Sequence, residues 1–291
     1  MMLIRKTAKY LEKILWKSHN KKAAGIILVI LLIGGVFVIC HNIIKLSYKI
    51  SPLLGIPVIV FFGYVPLIGM GGLIYAGDRI FRNLKSKDID SAQKSIARMV
   101  SRDTNNLDEE QIICATVESI AENTVDSVMV PLFYLILGGA PLAVSAKAIS
   151  LLDSTIGFKN QRYRDFGWAA AKLDDIANFI PARITGLLIP LAALILGKDF
   201  KNSFKIMLRD RKKHPSPNSG IPEAAVAGAL GIQLGGDYNE KKSSWRPYIG
   251  DKKNILSLEH IKDAVQLMYA SSLIMFIIGV FIVIITRSCF V

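Results

Sequence analysis

Cysteine is scarce in this chain of 291 residues: Cys40, Cys114 and Cys289 stand far apart, and no Cys-x-x-Cys pair occurs. That argues against a disulfide scaffold and against cysteine-held zinc or iron–sulfur centres. Acidic residues are also few, 23 against 36 lysines and arginines, for a formal charge of +13. Four histidines, at 19, 41, 214 and 260, are scattered. The sequence has no Gly-x-x-x-x-Gly-Lys-Ser/Thr phosphate loop and no Gly-x-Gly-x-x-Gly. His-Glu-x-x-His and Gly-x-Ser-x-Gly are missing too, so phosphate chemistry here must use arginines, acids and a metal. No small-x-small cleavage site follows a short apolar run near the start, which fits a signal peptide poorly.

Apolar residues are plentiful. They make up 52% of the chain, charged residues only 20%, and mean hydropathy is +0.39. That balance opposes intrinsic disorder, which needs low hydrophobicity. Uncharged runs at 23–40, 53–77 and 268–285 approach the ~20 residues that cross a bilayer, and they predict transmembrane helices. Runs 128–146 and 184–197 are broken by Gly138-Gly139-Ala140-Pro141 and by Pro190, and read as spans or re-entrant hairpins. Residues 1–22 alternate Leu3, Ile4, Ala8, Leu11, Ile14 and Leu15 with lysines, the pattern of an interfacial amphipathic helix. The positive-inside rule places 1–22, 78–127 and 198–262 in the cytoplasm and accounts for most of the +13. No module for binding nucleic acid is visible. The expected fold is an all-α, polytopic membrane bundle in a single domain, 1–291, with re-entrant or broken helices and cytoplasmic helical loops. Residues 214–257, rich in proline and glycine, read as an ordered loop with turns.

Hydropathy does not explain four polar clusters. Glu118, Glu122 and Asp126 recur every four residues, so a helix puts them on one face with Asn123 beside them. Such a row needs a metal, an arginine cluster or an amine to offset its repulsion, or else it is a solvated helix start. Asp153, Arg162, Arg164 and Asp165 sit around a loop near Trp168, ahead of a helix bearing Asp174, Asp175 and Asn178. Those last three offer hard oxygens to magnesium, unless the nearby arginines, Arg183 included, pair with them. Arg98 and Arg102, four apart on an expected helix with Asp103 next in line, suit a phosphate or carboxylate. His214, Asn218 and Glu223 form the fourth group, in which a lone histidine is more often structural than catalytic.

These same strings carry a family resemblance. SRDT (101–104), VESIAENTVDS (117–127), PLFYLILGGAPLA (131–143), RYRDFGWAAAKLDDIANFIPARIT (162–185) and HPSPNSGIPEAAVAGALGIQLGG (214–236) resemble the CobD/CbiB family. These are the adenosylcobinamide-phosphate synthases of cobalamin biosynthesis. The resemblance implies a multi-pass protein of the cytoplasmic membrane with its active side facing the cytoplasm. It implies an ATP-dependent amide ligase that joins the free propionate of adenosylcobyric acid to the amine of aminopropanol phosphate. ATP and magnesium are implied, with the corrinoid as substrate rather than cofactor. The lipid bilayer and other late cobalamin-biosynthesis membrane enzymes are the implied partners, and nucleic acid is not one.

On that reading the catalytic candidates are Glu118, Glu122, Asp126, Asp165 and Asp174, with Glu122 suited to take the amine proton. Magnesium falls to Glu122, Asp126, Asp174, Asp175 and Asn178. Substrate contacts fall to Arg98, Arg102, Asp103, Asn123, Asp153, Arg162, Arg164, Trp168, Arg183, His214, Asn218 and Glu223. The sequence departs from the family pattern at Ser127, Ser150, Leu151 and Phe158. Met1 stands where a family Gly-Asp-Pro … His-Pro-Val motif is expected to have ended. A non-catalytic ligand-binding or signalling homologue and a small-molecule transporter are the alternatives; the retained acid–arginine clusters speak against the first, and the lack of an inverted repeat against the second.

Overall fold

The structure, a computed structural model, describes residues 2–100, 102–158, 160–236 and 246–288. Ser101 of the SRDT string and Cys289 lie outside the described residues. The chain packs as two compact units. One comprises Met1–Leu67, Val130–Ile180 and Ile282–Val291, and the other Ile68–Met129 and Pro181–Phe281.

In the first unit, α1 (Met2–Leu15) is amphipathic, and α2 (Lys21–Ile50) starts where Asn20 Oδ1 accepts from the Ala23 amide. After α3 (Pro52–Gly63), the helix α7 (Val130–Ile156) returns to pack on α2 and α3. Leu28, Leu152, Ile156 and Phe166 are fully buried at the centre of this unit. Ala8 of α1 is buried there as well, and Ile4, Leu11 and Leu15 pack against it, while Leu3, Tyr10 and Ile14 stay exposed. Protein therefore covers one edge of the apolar stripe of α1. Gly25 permits the tightest approach, because a Cβ there would collide with the Phe166 carbonyl oxygen.

The second unit is built on α6 (Glu109–Thr124), α9 (Phe200–Asp210) and α10 (Gly220–Leu230). A capping box between Asp108 and Gln111 starts α6, and a π-helical turn, Val125–Met129, ends it. The short α5 (Ile89–Ile96) packs on α6. The stretches 214–236 and 246–257, expected as ordered loop with turns, contain regular elements. They hold α10, whose residues are all buried, and an antiparallel pair, β1 (Leu234–Gly236) and β2 (Arg246–Ile249). Small side chains explain the difference. Gly228 brings α10 so close to α9 that a Cβ there would lie 2.6 Å from the Asn202 carbonyl oxygen, and Pro222 falls in the first turn, where its missing N–H costs nothing.

Three helices run from one unit into the other: α4 (Val65–Lys85), α8 (Trp168–Ile195) and α11 (Glu259–Ser288). Four described helical stretches are long and apolar enough to cross a membrane: Lys21–Ile50, Glu109–Ile156, Trp168–Ile195 and Glu259–Thr286. A fifth candidate is the α3–α4 pair, bent by 41°. Many of their apolar side chains are uncovered by protein, most of all on Lys21–Ile50 and Glu259–Thr286; Ile30, Ile39, Phe61, Phe276 and Ile285 are exposed. Water would not tolerate that much apolar surface, and lipid does. The fold is an all-α membrane bundle. Its broken helix is α7, where Gly138 (φ −151°) and Gly139 (φ +73°) leave helical geometry. Run 184–197 turns out to be mostly the second half of α8, which continues through Pro181 and Pro190.

Candidate active site

The second unit gathers the acids of α6 with residues from four other segments. Glu118 is buried, and both its oxygens are engaged: Oε2 accepts from Arg102 Nη2 at 2.9 Å, and Oε1 accepts from the Gly235 amide at 2.7 Å. Arg246 Nη1 approaches the same Oε2 at 3.9 Å. One turn on, half-buried Glu122 accepts from the Ser219 hydroxyl at 3.0 Å. Of the acid row, Glu118 is met by two arginines and Glu122 by a hydroxyl.

Arg102 reaches Glu118 from an irregular segment. The helix expected across Arg98 and Arg102 ends instead at Ile96, and the chain is held by Thr104 Oγ1 donating to the Gln93 carbonyl and by Gln93 Nε2 donating to the Leu107 carbonyl. Asp103, expected to contact substrate, is exposed and accepts from the Asn105 amide at 3.1 Å, a local turn that competes with helix. Arg98 lines a different cavity, of about 270 Å³, with Arg79, Tyr75 and Asn123.

The loop before α10 supplies the rest. Glu223 is buried, 3.8 Å from His214 Nε2 and 3.8 Å from Arg246 Nη1. Burial pushes the Glu223 carboxyl well above the ordinary carboxylate range, and the neighbouring charges of Glu118 and Glu122 push it further, against Arg246 and Arg102. Burial also lowers the His214 pKa, and Arg246 adds to this against the pull of Glu122. Because His214 Nδ1 accepts from the Ser216 amide at 2.9 Å, the neutral ring carries its proton on Nε2, facing Glu223. Asn218 is buried and its Oδ1 accepts from Arg183 Nη1 at 3.3 Å. His214, Arg183, Arg211, Lys212 and Ser216 line a cavity of about 500 Å³.

Three residues here are not among the candidates read from the sequence. Arg246 carried no periodic signal, Ser219 looked like loop, and Arg211 was hidden in a basic run that the positive-inside rule already explained. Nearby, fully buried Asp210 ties the region together. It accepts from Arg209, Lys213 and the Gly250 amide, and Arg209 also bridges to Asp251. Those cationic and amide donors hold Asp210 at a pKa of about 2, against the effect of its burial.

Asp126 falls in the π-helical turn Val125–Met129 of the second unit, and the remaining candidates belong to the first. Arg162 is exposed and pairs with Glu12 at 3.0 Å, while Tyr163 donates to the same oxygen at 2.9 Å. The partner of this arginine is thus Glu12 of α1 rather than one of the aspartates of its own cluster. Arg164 and Asp165 are exposed. Trp168 carries the Lys22 ammonium 4.0 Å above its ring. Asn178 Nδ2 donates to Asp174 Oδ2 at 2.9 Å, and Lys172 lies 3.7 Å from Asp175. Asp153 lies half-buried on α7, where a Cβ on Gly157 would collide with its Oδ1. Among the described residues no group of three or more His, Cys, Asp or Glu side chains converges on one point where a metal ion could sit.

The family description "CobD/Cbib protein" matches residues 1–268. The chain belongs to the CobD/Cbib family. Its relatives include the cobalamin biosynthesis protein CobD of Clostridium perfringens, 44% identical over 89% of this chain and 82% of the relative. That of Geobacter metallireducens is 40% identical over 96% of this chain and 88% of the relative. That of Clostridium tetani is 50% identical over 69% of this chain and 64% of the relative. No solved structure matches the chain significantly. The Arg102, Glu118, Glu122, His214 and Glu223 cluster thus lies wholly within the region matched to the family.

Proposed function

We propose that this CobD/Cbib protein acts in cobalamin biosynthesis as an amide ligase, adenosylcobinamide-phosphate synthase. It would join the free propionate of adenosylcobyric acid to the amine of aminopropanol phosphate, with ATP as co-substrate. One observation carries the chemistry. Within a single cluster, burial raises the pKa of the Glu223 carboxyl, while Glu122 lies only half-buried and accepts from the Ser219 hydroxyl. Carboxyl groups set in such different surroundings at one place can divide acid and base work.

In the proposed sequence the substrate carboxylate takes the terminal phosphoryl group of ATP, releasing ADP. The amine then attacks the acyl carbon, the C–N bond forms, and the C–O bond to phosphate breaks. Glu122 takes the proton the amine loses. Glu118, held by Arg102 and Gly235, is a fixed charge that anchors the cluster rather than a reacting acid. Magnesium arriving with ATP takes most of its ligands from phosphates and water and needs only one or two carboxylates. Asp126, one turn beyond Glu122, suits that role in this unit, with Asp174, Asp175 and Asn178 as the donors of the other. The basic segments argue for an active side in the cytoplasm, where ATP is found.

The test is growth of a cobinamide-requiring strain that lacks its own ligase. The wild-type gene should remove the requirement. Glu122→Gln should restore it, although the protein accumulates in the membrane. Failure of correctly inserted wild-type protein to support growth would refute the ligase reading.

A further inference from the structure

The cavity beside the His-Pro-Ser-Pro-Asn loop takes no part in the acid–base work assigned to Glu122 and Glu223. It encloses about 500 Å³, within the ~300–1,000 Å³ of small-molecule sites. Its lining is strongly cationic, with Arg183, Arg211 and Lys212. Most other basic side chains placed near this region have a carboxylate: Arg102 has Glu118, Arg209 has Asp210 and Asp251, and Lys198 has Asp263. Among the described residues no carboxylate reaches Arg211 or Lys212. The Arg211 Nε atom is buried and has no hydrogen-bond acceptor. A buried guanidinium donor in that state is costly unless a ligand meets it. Arg211 and Arg183 also repel each other, a cost that an anion between them would reverse.

The loop is built to hold this arrangement. Ser216 Oγ accepts from the amides of Asn218 and Ser219, both at 3.3 Å, while its own hydroxyl hydrogen has no acceptor among the described residues. His214 Nδ1 fixes the Ser216 amide at 2.9 Å. Gly220 closes the loop, because a Cβ there would collide with the Arg211 carbonyl oxygen. A cavity lined by two guanidiniums, Arg183 from α8 and Arg211, with the Lys212 ammonium and a spare Ser216 hydroxyl donor offers more positive charge than a single carboxylate would use. A dianionic phosphomonoester fits it.

We infer that this cavity binds the phosphate of a small phosphomonoester, with Arg211 as the principal contact. Under the ligase reading, on which the identity of the ligand rests, that ligand is the phosphorylated amine. The anchored phosphate would then set the position of its amine for attack.

The experiment is calorimetric titration of the full-length protein, in nanodiscs of phosphatidylcholine, with ethanolamine phosphate. Wild type should bind, and Arg211→Ala should weaken binding by about ten- to a hundred-fold. Arg211→Lys should recover part of the loss. Lys212→Ala, at an exposed position, should weaken binding several-fold without lowering the thermal midpoint, which guards against a variant that merely fails to fold. Glu122→Gln should abolish growth yet retain binding, which separates this inference from the ligase assignment. Equal affinity in wild type and Arg211→Ala would overturn the inference, whatever the growth assay gives. Binding seen only with ATP would also overturn it, by making the cavity a nucleotide site. So would loss of ethanolamine phosphate binding in nanodiscs containing phosphatidylglycerol, by making it a lipid headgroup site.

Discussion

Glu118→Gln perturbs the most heavily committed side chain of the cluster. Glutamine keeps the shape, and its carbonyl can still accept from the Gly235 amide. What it removes is the charge facing Arg102 at 2.9 Å, and its NH₂ then points donors at the donors of the guanidinium. Glu118 is only 2% exposed, so little solvent screens the change. Removing one partner of a buried ion pair costs about 3–5 kcal/mol. One neighbour, Glu223, softens the loss. Glu118 is the largest charge raising the Glu223 pKa, so its neutralisation lets Glu223 ionise more readily and offset part of the positive charge of Arg102 and Arg246. The expected cost is therefore near the lower end, about 3 kcal/mol, or a thermal midpoint lower by about 6–12 °C. The assay is thermal unfolding of the purified protein in detergent, followed by tryptophan fluorescence. Glu118→Gln with Arg102→Met, which removes both charges, should be less destabilised than Glu118→Gln alone, with a coupling of at least about 1 kcal/mol. A drop below about 2 °C for the single change would put this bridge among the screened surface pairs and refute its anchoring role.

Three further outcomes follow from named contacts. The Glu223 carboxyl titrates above the ordinary 4.5 in the folded chain, so the folded state holds a proton that the unfolded chain gives up. Stability should fall as pH rises from about 4.5 toward the raised pKa, and Glu223→Gln should flatten that slope in melts from pH 4.5 to 8; an unchanged slope would place the effect elsewhere. Asp210 has the opposite sign, because its pKa is depressed from 3.8 to about 2. Its stabilisation is present above pH 3.8 and is lost as pH falls toward 2, and Asp210→Asn should remove about 2–3 kcal/mol at pH 7 in denaturant unfolding. Gly25→Ala forces a methyl against the fixed Phe166 carbonyl, so α2 must shift at a cost of about 1–3 kcal/mol. Expression at wild-type level with an unchanged thermal midpoint would contradict that packing.

The membrane character and the helical class were legible in the chain, because a run of uncharged residues needs no partner to declare itself. Runs 23–40 and 268–285 became the cores of α2 and α11. The break at Gly138-Gly139 was equally local, since glycine reaches φ +73° without strain. The spacing of Glu118, Glu122 and Asp126 predicted an acid face that a metal, an arginine cluster or an amine would offset, unless it was a solvated helix start. It did not say that Arg102 would meet Glu118. Arg98 and Arg102 looked like a helical pair, yet local turns at Asp103 and Thr104 hold Arg102 in an irregular segment that reaches Glu118.

By itself, then, the sequence determined periodicity, hydropathy and family. Each is a property of residues near one another along the chain, or of long strings read in order. The tertiary structure alone decided that Glu118 is a tethered charge, that His214 turns its Nε2 proton toward a buried Glu223, and that Arg211 is left facing a cavity. The physical reason is desolvation. Whether a carboxyl is a fixed anion, a neutral acid or a base depends on what surrounds it in space. The groups that surround these residues come from segments distant in the chain, with no spacing rule to connect them.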